Sequence, residues 1–202
     1  MITNLFFIGI GGGLGAILRF GINEIFENYL PADIFPTLQS NVMSDELPWF
    51  HQNTTVADGD GKPSDTHRFW WDYQPSQQIG FIAPLIKKLH EDKIVRCLDR
   101  IKGNTTFPSV MYPHYRTGKK DCWKEDLHID NIINDITGMK AAIFYINTTD
   151  GQTVFQMGKN DFKFVDGKEN RLVVFDMNIK HAGLMHTDTN IPRRLNLNFN
   201  FF

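Results

Sequence analysis

The sequence predicts a mainly β chain, an antiparallel sandwich or jelly roll, with helices from its first half covering one outer face. Three observations predict it. The second half holds a series of short strand candidates: Thr106–Tyr112, Asp126–Asp130, Met139–Ile146, Thr153–Met157, Asp161–Val165, Arg171–Asp176 and Arg194–Phe201. Gly138, Asp150-Gly151, Gly158 and Asp166-Gly167 punctuate them, which is turn chemistry rather than the long crossovers of βαβ units. Phe is unusually common, 17 of 202 residues, and much of it lies in short runs that suit a pleated, half-buried surface.

The first segment stands apart. Residues 5–22, LFFIGIGGGLGAILRFGI, are apolar and glycine-rich, interrupted only by Arg19, and come close to the length of one membrane span. No Lys or Arg precedes the run, against a secretory leader. The stretch GGGLGAILRF resembles the opening of a small fluoride-channel protein, a likeness with no continuation further along the chain. Residues 1–23 are therefore read as an appendage of uncertain role, and any membrane contact would run through residues 5–22. Residues 24–202 form the expected domain.

From Glu24 to Leu38, Pro31 and Pro36 limit uninterrupted helix, and Leu47-Pro48-Trp49-Phe50 opens an aromatic strand candidate. Residues 57–66, ADGDGKPSDT, read as a loop. Between Gln78 and Arg100 the spacing of Ile82, Leu85, Ile86, Leu89, Ile94 and Leu98 predicts helical support, with Cys97 packed within it. Asn53, Asn104 and Asn147 each begin an Asn-Thr-Thr sequence and read as turns.

The net charge of -2, with no sustained Lys/Arg block, excludes an electrostatic case for nucleic acid as a partner. Two cysteines, Cys97 and Cys122, make neither a disulfide framework nor a thiolate metal site, so a reducing, cytoplasmic compartment is the default. Cys122 has no identifiable base partner for nucleophilic work.

The chemistry-bearing feature is His-Ile-Asp at 128–130. In a strand, alternate side chains share a face, so Leu127 and Ile129 enter a core while His128 and Asp130 converge on the other side. A third ligand must come from elsewhere, and His181 follows the strand candidate 171–176. Two imidazoles and one carboxylate on one side of a metal leave positions open for cosubstrate and O2, the donor set of non-haem iron oxygenases. Zinc uses the same donors.

Further pieces give this pattern a context. LPWFHQ at 47–52, LHIDN at 127–131, AAIFYIN at 141–147, DGQTVF at 150–155 and the ending HAG…RRLNLNFNF from His181 occur in an order and spacing that resemble the 2-oxoglutarate and Fe(II)-dependent oxygenases. The likeness is to their prolyl-4-hydroxylase-like branch, of the small phage and bacterial type, and it runs from about Glu24 to Phe202. The resemblance implies a double-stranded β-helix (a cupin-like jelly roll), with Fe(II) held by His128, Asp130 and His181. His186 is the nearby alternative to His181, read otherwise as a loop or surface residue. It implies hydroxylation of a C–H bond in a peptidyl residue or small molecule, with 2-oxoglutarate and O2 as cosubstrates and succinate and CO2 released. A non-enzymatic jelly-roll binding protein and a zinc-dependent cupin-like enzyme are the competing classes.

The distal carboxylate of 2-oxoglutarate needs a charged, planar partner, which arginine supplies. The family pattern places it on the last core strand. Arg194 has that relation to LNLNFNF, and the adjacent Arg193 would point the opposite way in a regular strand. By the same resemblance Tyr145 and Tyr112 contact the cosubstrate, Tyr115 being the alternative to Tyr112, and Thr153 lines the pocket. Trp49, Phe50, Trp70, Trp71, Tyr73 and Trp123 are candidates either for the core or for an aromatic entrance. The sequence leaves the substrate and the oligomeric state open.

Overall fold

The computed structural model describes residues 22–52, 64–109, 122–130 and 138–202. Most of the 5–22 segment, Tyr112 and Tyr115 lie outside these residues. Among the described residues, no helix is long and apolar enough to cross a membrane.

Among the described residues, eleven strands form two antiparallel sheets. They are β1 (Ile22–Phe26), β2 (Phe50–Gln52), β3 (Ser64–Trp71), β4 (Gln74–Pro75), β5 (Leu98–Thr106), β6 (Lys140–Tyr145), β7 (Gln152–Gln156), β8 (Phe162–Asp166), β9 (Leu172–Asp176), β10 (His181–Gly183) and β11 (Arg194–Phe201). The major sheet runs β1-β9-β6-β11-β5-β3-β2, with β4 paired to β3, and the minor sheet runs β10-β7-β8. This is the mainly antiparallel jelly roll expected, with helices α1 (Phe35–Met43) and α2 (Ala83–Glu91) on its outer side. Pro36 and Pro84 sit in the first turns of the two helices, where the missing N–H costs no helical hydrogen bond.

β11 shows how the sequence sets the two faces. Leu195, Leu197, Phe199 and Phe201 pack outward into a core with Leu38, Leu85 and Leu89 from the helices. Arg194, Asn196, Asn198 and Asn200, one residue out of phase, belong to the face toward the minor sheet. On that inner face Ala141, Ile143 and Tyr145 of β6 meet Phe155, Val165, Val173 and Phe175, so one end of the sandwich is apolar and the other polar.

Several local expectations are corrected. Asp126–Asp130 is no regular strand: a 3-10 helix spans Cys122–Asp126, and a single antiparallel bridge then joins His128 to His181. The backbone bends at Asp130, so Leu127 and Ile129 are only half-buried instead of entering a core. The helical spacing holds through α2 but not to Leu98, which starts β5, because Leu98, Ile101, Gly103 and Thr105 pair across β11 and β3 with strand periodicity. Of the strand foreseen at Thr106–Tyr112 only Thr106 is strand, as the last residue of β5; residues 107–109 are not strand, and residues 110–112 lie outside the described residues. Residues 64–66, read as loop, open β3, and Asn104 is a strand residue rather than a turn. Cys97 is exposed just before β5 instead of packed in a helix.

Buried His67 on β3 is tied through Nδ1 to the Pro48 carbonyl at 2.8 Å and lies 3.2 Å through Nε2 from the Ser76 hydroxyl. Burial lowers its pKa, only partly offset by the carbonyl. The unfolded chain then takes up the proton first, so this contribution to stability is complete above about pH 6.5 and is lost as the pH falls through the folded value. Thermal melts of metal-free protein should show the midpoint dropping from pH 7.5 to 5.5. In His67→Leu that slope should be shallower, and an unchanged slope would remove His67 as its source.

Candidate functional site

The bridge that replaces the expected strand is what brings the candidate ligands His128 and His181 together. His128 and His181 exchange both backbone hydrogen bonds, each 3.0 Å, which fixes their Cα atoms opposite one another. Asp130 follows the bend, and one ligand atom from each of His128, Asp130 and His181 lies within 4.8 Å of the others. Both Nε2 atoms stand 3.8 Å from the same Asp130 oxygen, Oδ1.

The other side of each ring is fixed too. His128 Nδ1 lies 2.9 Å from the Asp126 carbonyl and His181 Nδ1 lies 3.2 Å from the Ile179 carbonyl. Only a protonated Nδ1 bonds a carbonyl, so each neutral ring presents its Nε2 lone pair toward Asp130. His181 is buried against Phe155 and Phe175, and burial lowers its pKa despite the nearby Asp130 carboxylate. Burial alone would raise the Asp130 pKa, but His181, Arg100, His128 and Lys102 together draw it below the ordinary carboxylate value. An ionised carboxylate and two unprotonated Nε2 atoms are the donor states that a divalent metal requires. His186 is outside this group. It is fully buried instead of superficial, with Nε2 2.8 Å from the Ile191 carbonyl.

A second cluster lies along the same strand pair. His181 pairs with Phe155 and Gly183 with Thr153, so Thr153 sits two residues from the His181 level, about 7 Å along the strand. Thr153 Oγ1 accepts hydrogen bonds from Tyr145 Oη at 2.7 Å and from Arg194 Nη2 at 2.9 Å. The Arg194 guanidinium carbon lies 5.6 Å from the Tyr145 ring centre. Arg194 is buried, its Nε has no hydrogen-bond partner, and among the described residues no carboxylate neutralises it. Burial lowers its pKa and raises that of Tyr145, so the pair is a desolvated cation beside a neutral phenol. A buried guanidinium without a counter-ion is costly, and an anionic ligand removes that cost.

Glycines make room for this arginine. A Cβ on Gly151 would come within 2.9 Å of Arg194 Cδ and of the Leu184 carbonyl, and one on Gly183 within 3.2 Å of Arg194 Nη1. Gly151→Ala should therefore push Arg194 from its seat and weaken the binding of a carboxylate ligand there, with 2-oxoglutarate as the probe, by roughly tenfold, about 1.4 kcal/mol. Calorimetric titration checks this, and undiminished affinity would show that Arg194 can shift without loss.

Arg193 is exposed and points away. Asn147 holds the backbone on both sides of Arg194, donating to the Arg193 carbonyl at 2.8 Å and accepting from the Leu195 amide at 2.9 Å. The side chain of one Asn-Thr-Thr residue thus fixes the start of β11, a role invisible in the sequence. Of the aromatic candidates, Trp49 and Trp70 pack on the helix-side core, Trp123 packs on Phe162 and Phe164, and Phe50 and Tyr73 are exposed.

Sequence reasoning missed Arg100. Its Nη2 lies 3.4 Å from Asp130 Oδ2, the oxygen turned away from the histidines. The signal available was Arg100 and Lys102 two apart in DRIKG, but it was hidden by reading this stretch as the tail of a helix. A groove of about 530 Å3 between β1, β6 and the segment after α2 contains none of these residues.

No sequence-family model matches the chain and no curated protein matches it, so the fluoride-channel likeness of the first residues gains no support there. Solved structures do match. A prolyl-4-hydroxylase of Pseudomonas putida is 17% identical, with 89% of this chain and 92% of that one covered and a TM-score of 0.56. A prolyl hydroxylase of Trichoplax adhaerens, in complex with a hypoxia inducible factor peptide fragment, is 14% identical over 88% and 82%, with a TM-score of 0.58. HygX of Streptomyces hygroscopicus, with nickel, 2-oxoglutarate and hygromycin B bound, is 13% identical over 90% and 82%, with a TM-score of 0.53. The chain has the antiparallel jelly-roll fold of these solved structures.

Proposed function

We propose that the chain is an Fe(II)- and 2-oxoglutarate-dependent oxygenase that hydroxylates a C–H bond of a peptidyl residue or small molecule. The observation that carries this reading is the pairing of two features on one strand pair. His128, Asp130 and His181 converge, and the buried, unneutralised Arg194 lies about two residues further along β7 and β10. A metal site alone would serve a zinc enzyme equally well. The second feature asks for an anion at a fixed distance from the three candidate ligands, which a dicarboxylate cosubstrate would supply.

Iron, with 2-oxoglutarate and O2, supplies oxidising power that no side chain has. The protein's own tasks are narrower. His128 and His181 present oriented lone pairs, and Asp130 supplies the anionic donor. Arg194, Thr153 and Tyr145 receive the distal carboxylate, and Phe155 and Phe175 keep water from the His181 side. The overall balance is one C–H bond, one O2 and one 2-oxoglutarate giving one C–OH, one succinate and one CO2. Tyr112 belongs to the same proposal on sequence grounds. The peptide of the Trichoplax complex and the hygromycin B of HygX motivate both substrate classes.

The test is anaerobic reconstitution with Fe(II), followed by exposure to O2 with 2-oxoglutarate. Succinate should form, and a mass-spectrometric screen of peptides and small metabolites should show a product heavier by one oxygen. A reconstituted, folded protein that neither binds 2-oxoglutarate nor forms succinate would reject the reading.

A further inference from the structure

Beyond the Arg194 pocket the inner face carries a second group of cations. Arg100 and Lys102 alternate on β5 and so share a face, and Arg68 lies directly across from Lys102 on β3. The guanidinium carbons of Arg68 and Arg100 lie 4.3 and 5.8 Å from the ring centre of half-exposed Trp71. Lys102 is half-buried, and burial followed by the charge of Arg100 lowers its pKa. Asp130 is the one carboxylate acting on it among the described residues.

This group is separate from the cosubstrate cluster. Arg194 pairs with Thr106, four residues along β5 from Lys102, or about 13 Å. A dicarboxylate held by Arg194 and the metal cannot reach both ends. Its two charges, with that of Asp130, balance a divalent metal and Arg194, and Arg100 engages the outer oxygen of Asp130. The charge of Asp130 is already counted there, so Arg100, half-buried Lys102 and exposed Arg68 are left without an anion of their own among the described residues. Three buried polar atoms beside them also lack hydrogen-bond partners among the described residues: Arg100 Nε, Asp130 Oδ2, and the side-chain oxygen of Asn198, which pairs with Lys102 across the β5–β11 ladder.

We propose that Arg68 and Lys102, with Trp71 and Arg100 beside them, form an anion subsite next to the metal centre, and that the substrate carries a carboxylate seated there. The inference rests on the oxygenase reading above. It places the negatively charged end of the substrate on the β3–β5 side of Asp130, with the reacting C–H bond between that end and the metal. The carboxylate could belong to a free small acid or to an acidic residue of a peptide, and the test separates the two.

The full-length protein, loaded with zinc in place of iron and saturated with 2-oxoglutarate, is titrated in two arms. One compares free L-amino acids with their carboxamides. The other compares end-capped peptides containing Asp with the same peptides containing Asn. In one arm the acid should bind at least roughly tenfold more tightly than its neutral partner. Lys102→Gln and Arg68→Gln should each erase most of that preference, while Lys102→Arg retains it. Equal binding of acid and neutral forms in both arms, no binding of either, or a preference that survives both Gln variants overturns the subsite. The 2-oxoglutarate titration in the same samples distinguishes the failures. If the wild type does not bind 2-oxoglutarate, the oxygenase reading falls. If it binds and no acid is preferred, only the subsite falls.

Discussion

Arg194→Ala should lose 2-oxoglutarate affinity by about 2–5 kcal/mol, the range found when one member of a buried charge pair is truncated. Arg194 is buried, bonded to Thr153 at 2.9 Å, and its Nε is unpaired, so an incoming carboxylate would meet a desolvated, pre-oriented fork. Removing the fork leaves that carboxylate in a site already stripped of water. Arg194→Lys keeps the charge but not the planar two-point geometry, so only part of the affinity should return. Metal affinity measured in the same protein should change far less, because Arg194 lies about two residues along β10 from the His181 level. Arg193→Ala should bind 2-oxoglutarate normally, since Arg193 is exposed and Asn147 fixes the backbone between the two arginines. A severe loss at Arg193 with normal binding by Arg194→Ala would mean that β11 is shifted by one residue.

The other large effect concerns the metal. His128→Ala, Asp130→Ala and His181→Ala should each abolish succinate formation and weaken metal binding by more than the roughly 10–100-fold typical of outer-shell changes. The structural consequences should differ. His128 has a side chain 28% exposed, so its loss should cost little stability. Asp130→Ala removes the carboxylate 3.4 Å from Arg100, leaving it the Asn200 side chain and no counter-charge, and should lower the melting temperature as well. Asp130→Asn keeps the shape and tests the charge alone. Equilibrium dialysis with Fe(II) under anaerobic conditions gives metal affinity, and melts without metal give stability. Wild-type metal affinity in His181→Ala, or full turnover in any of the three, would end the ligand assignment.

How much of this was legible depended on whether a residue's role is local. β11 begins and ends at the predicted residues, Arg194–Phe201, because strict alternation of Arg/Asn with Leu/Phe admits one strand register against an apolar layer. The strands from β6 to β9 were foreseen to within one residue at each end because Gly and Asp-Gly turns separate them, not because of alternation, since β6 and β9 are buried on both faces. β5 was misread because Leu98 continues the helical spacing of α2, and only pairing with Phe201 makes it a strand residue. His-Ile-Asp was found through residue type and spacing, but the strand geometry invoked for it was wrong. A bend after one isolated bridge turns Asp130 toward both histidines.

By itself the sequence determined the layered β architecture, the inward row on the last strand and the three residues that the bridge later gathers. The first two follow from periodicity and turn chemistry, which act between near neighbours in the chain, and the three residues were singled out by donor type together with the resemblance of the surrounding motifs to a known family. The tertiary structure alone decided that Asp130 has one oxygen toward the histidines and the other toward Arg100. It also decided that Asn147 clamps the start of β11, that Gly151 and Gly183 clear space for Arg194, and that Arg68 stands across from Lys102. Each of these joins segments tens of residues apart, and their proximity is set by which strands pair and in what register. That choice is made by burying the whole apolar layer at once, so no short stretch of sequence records it.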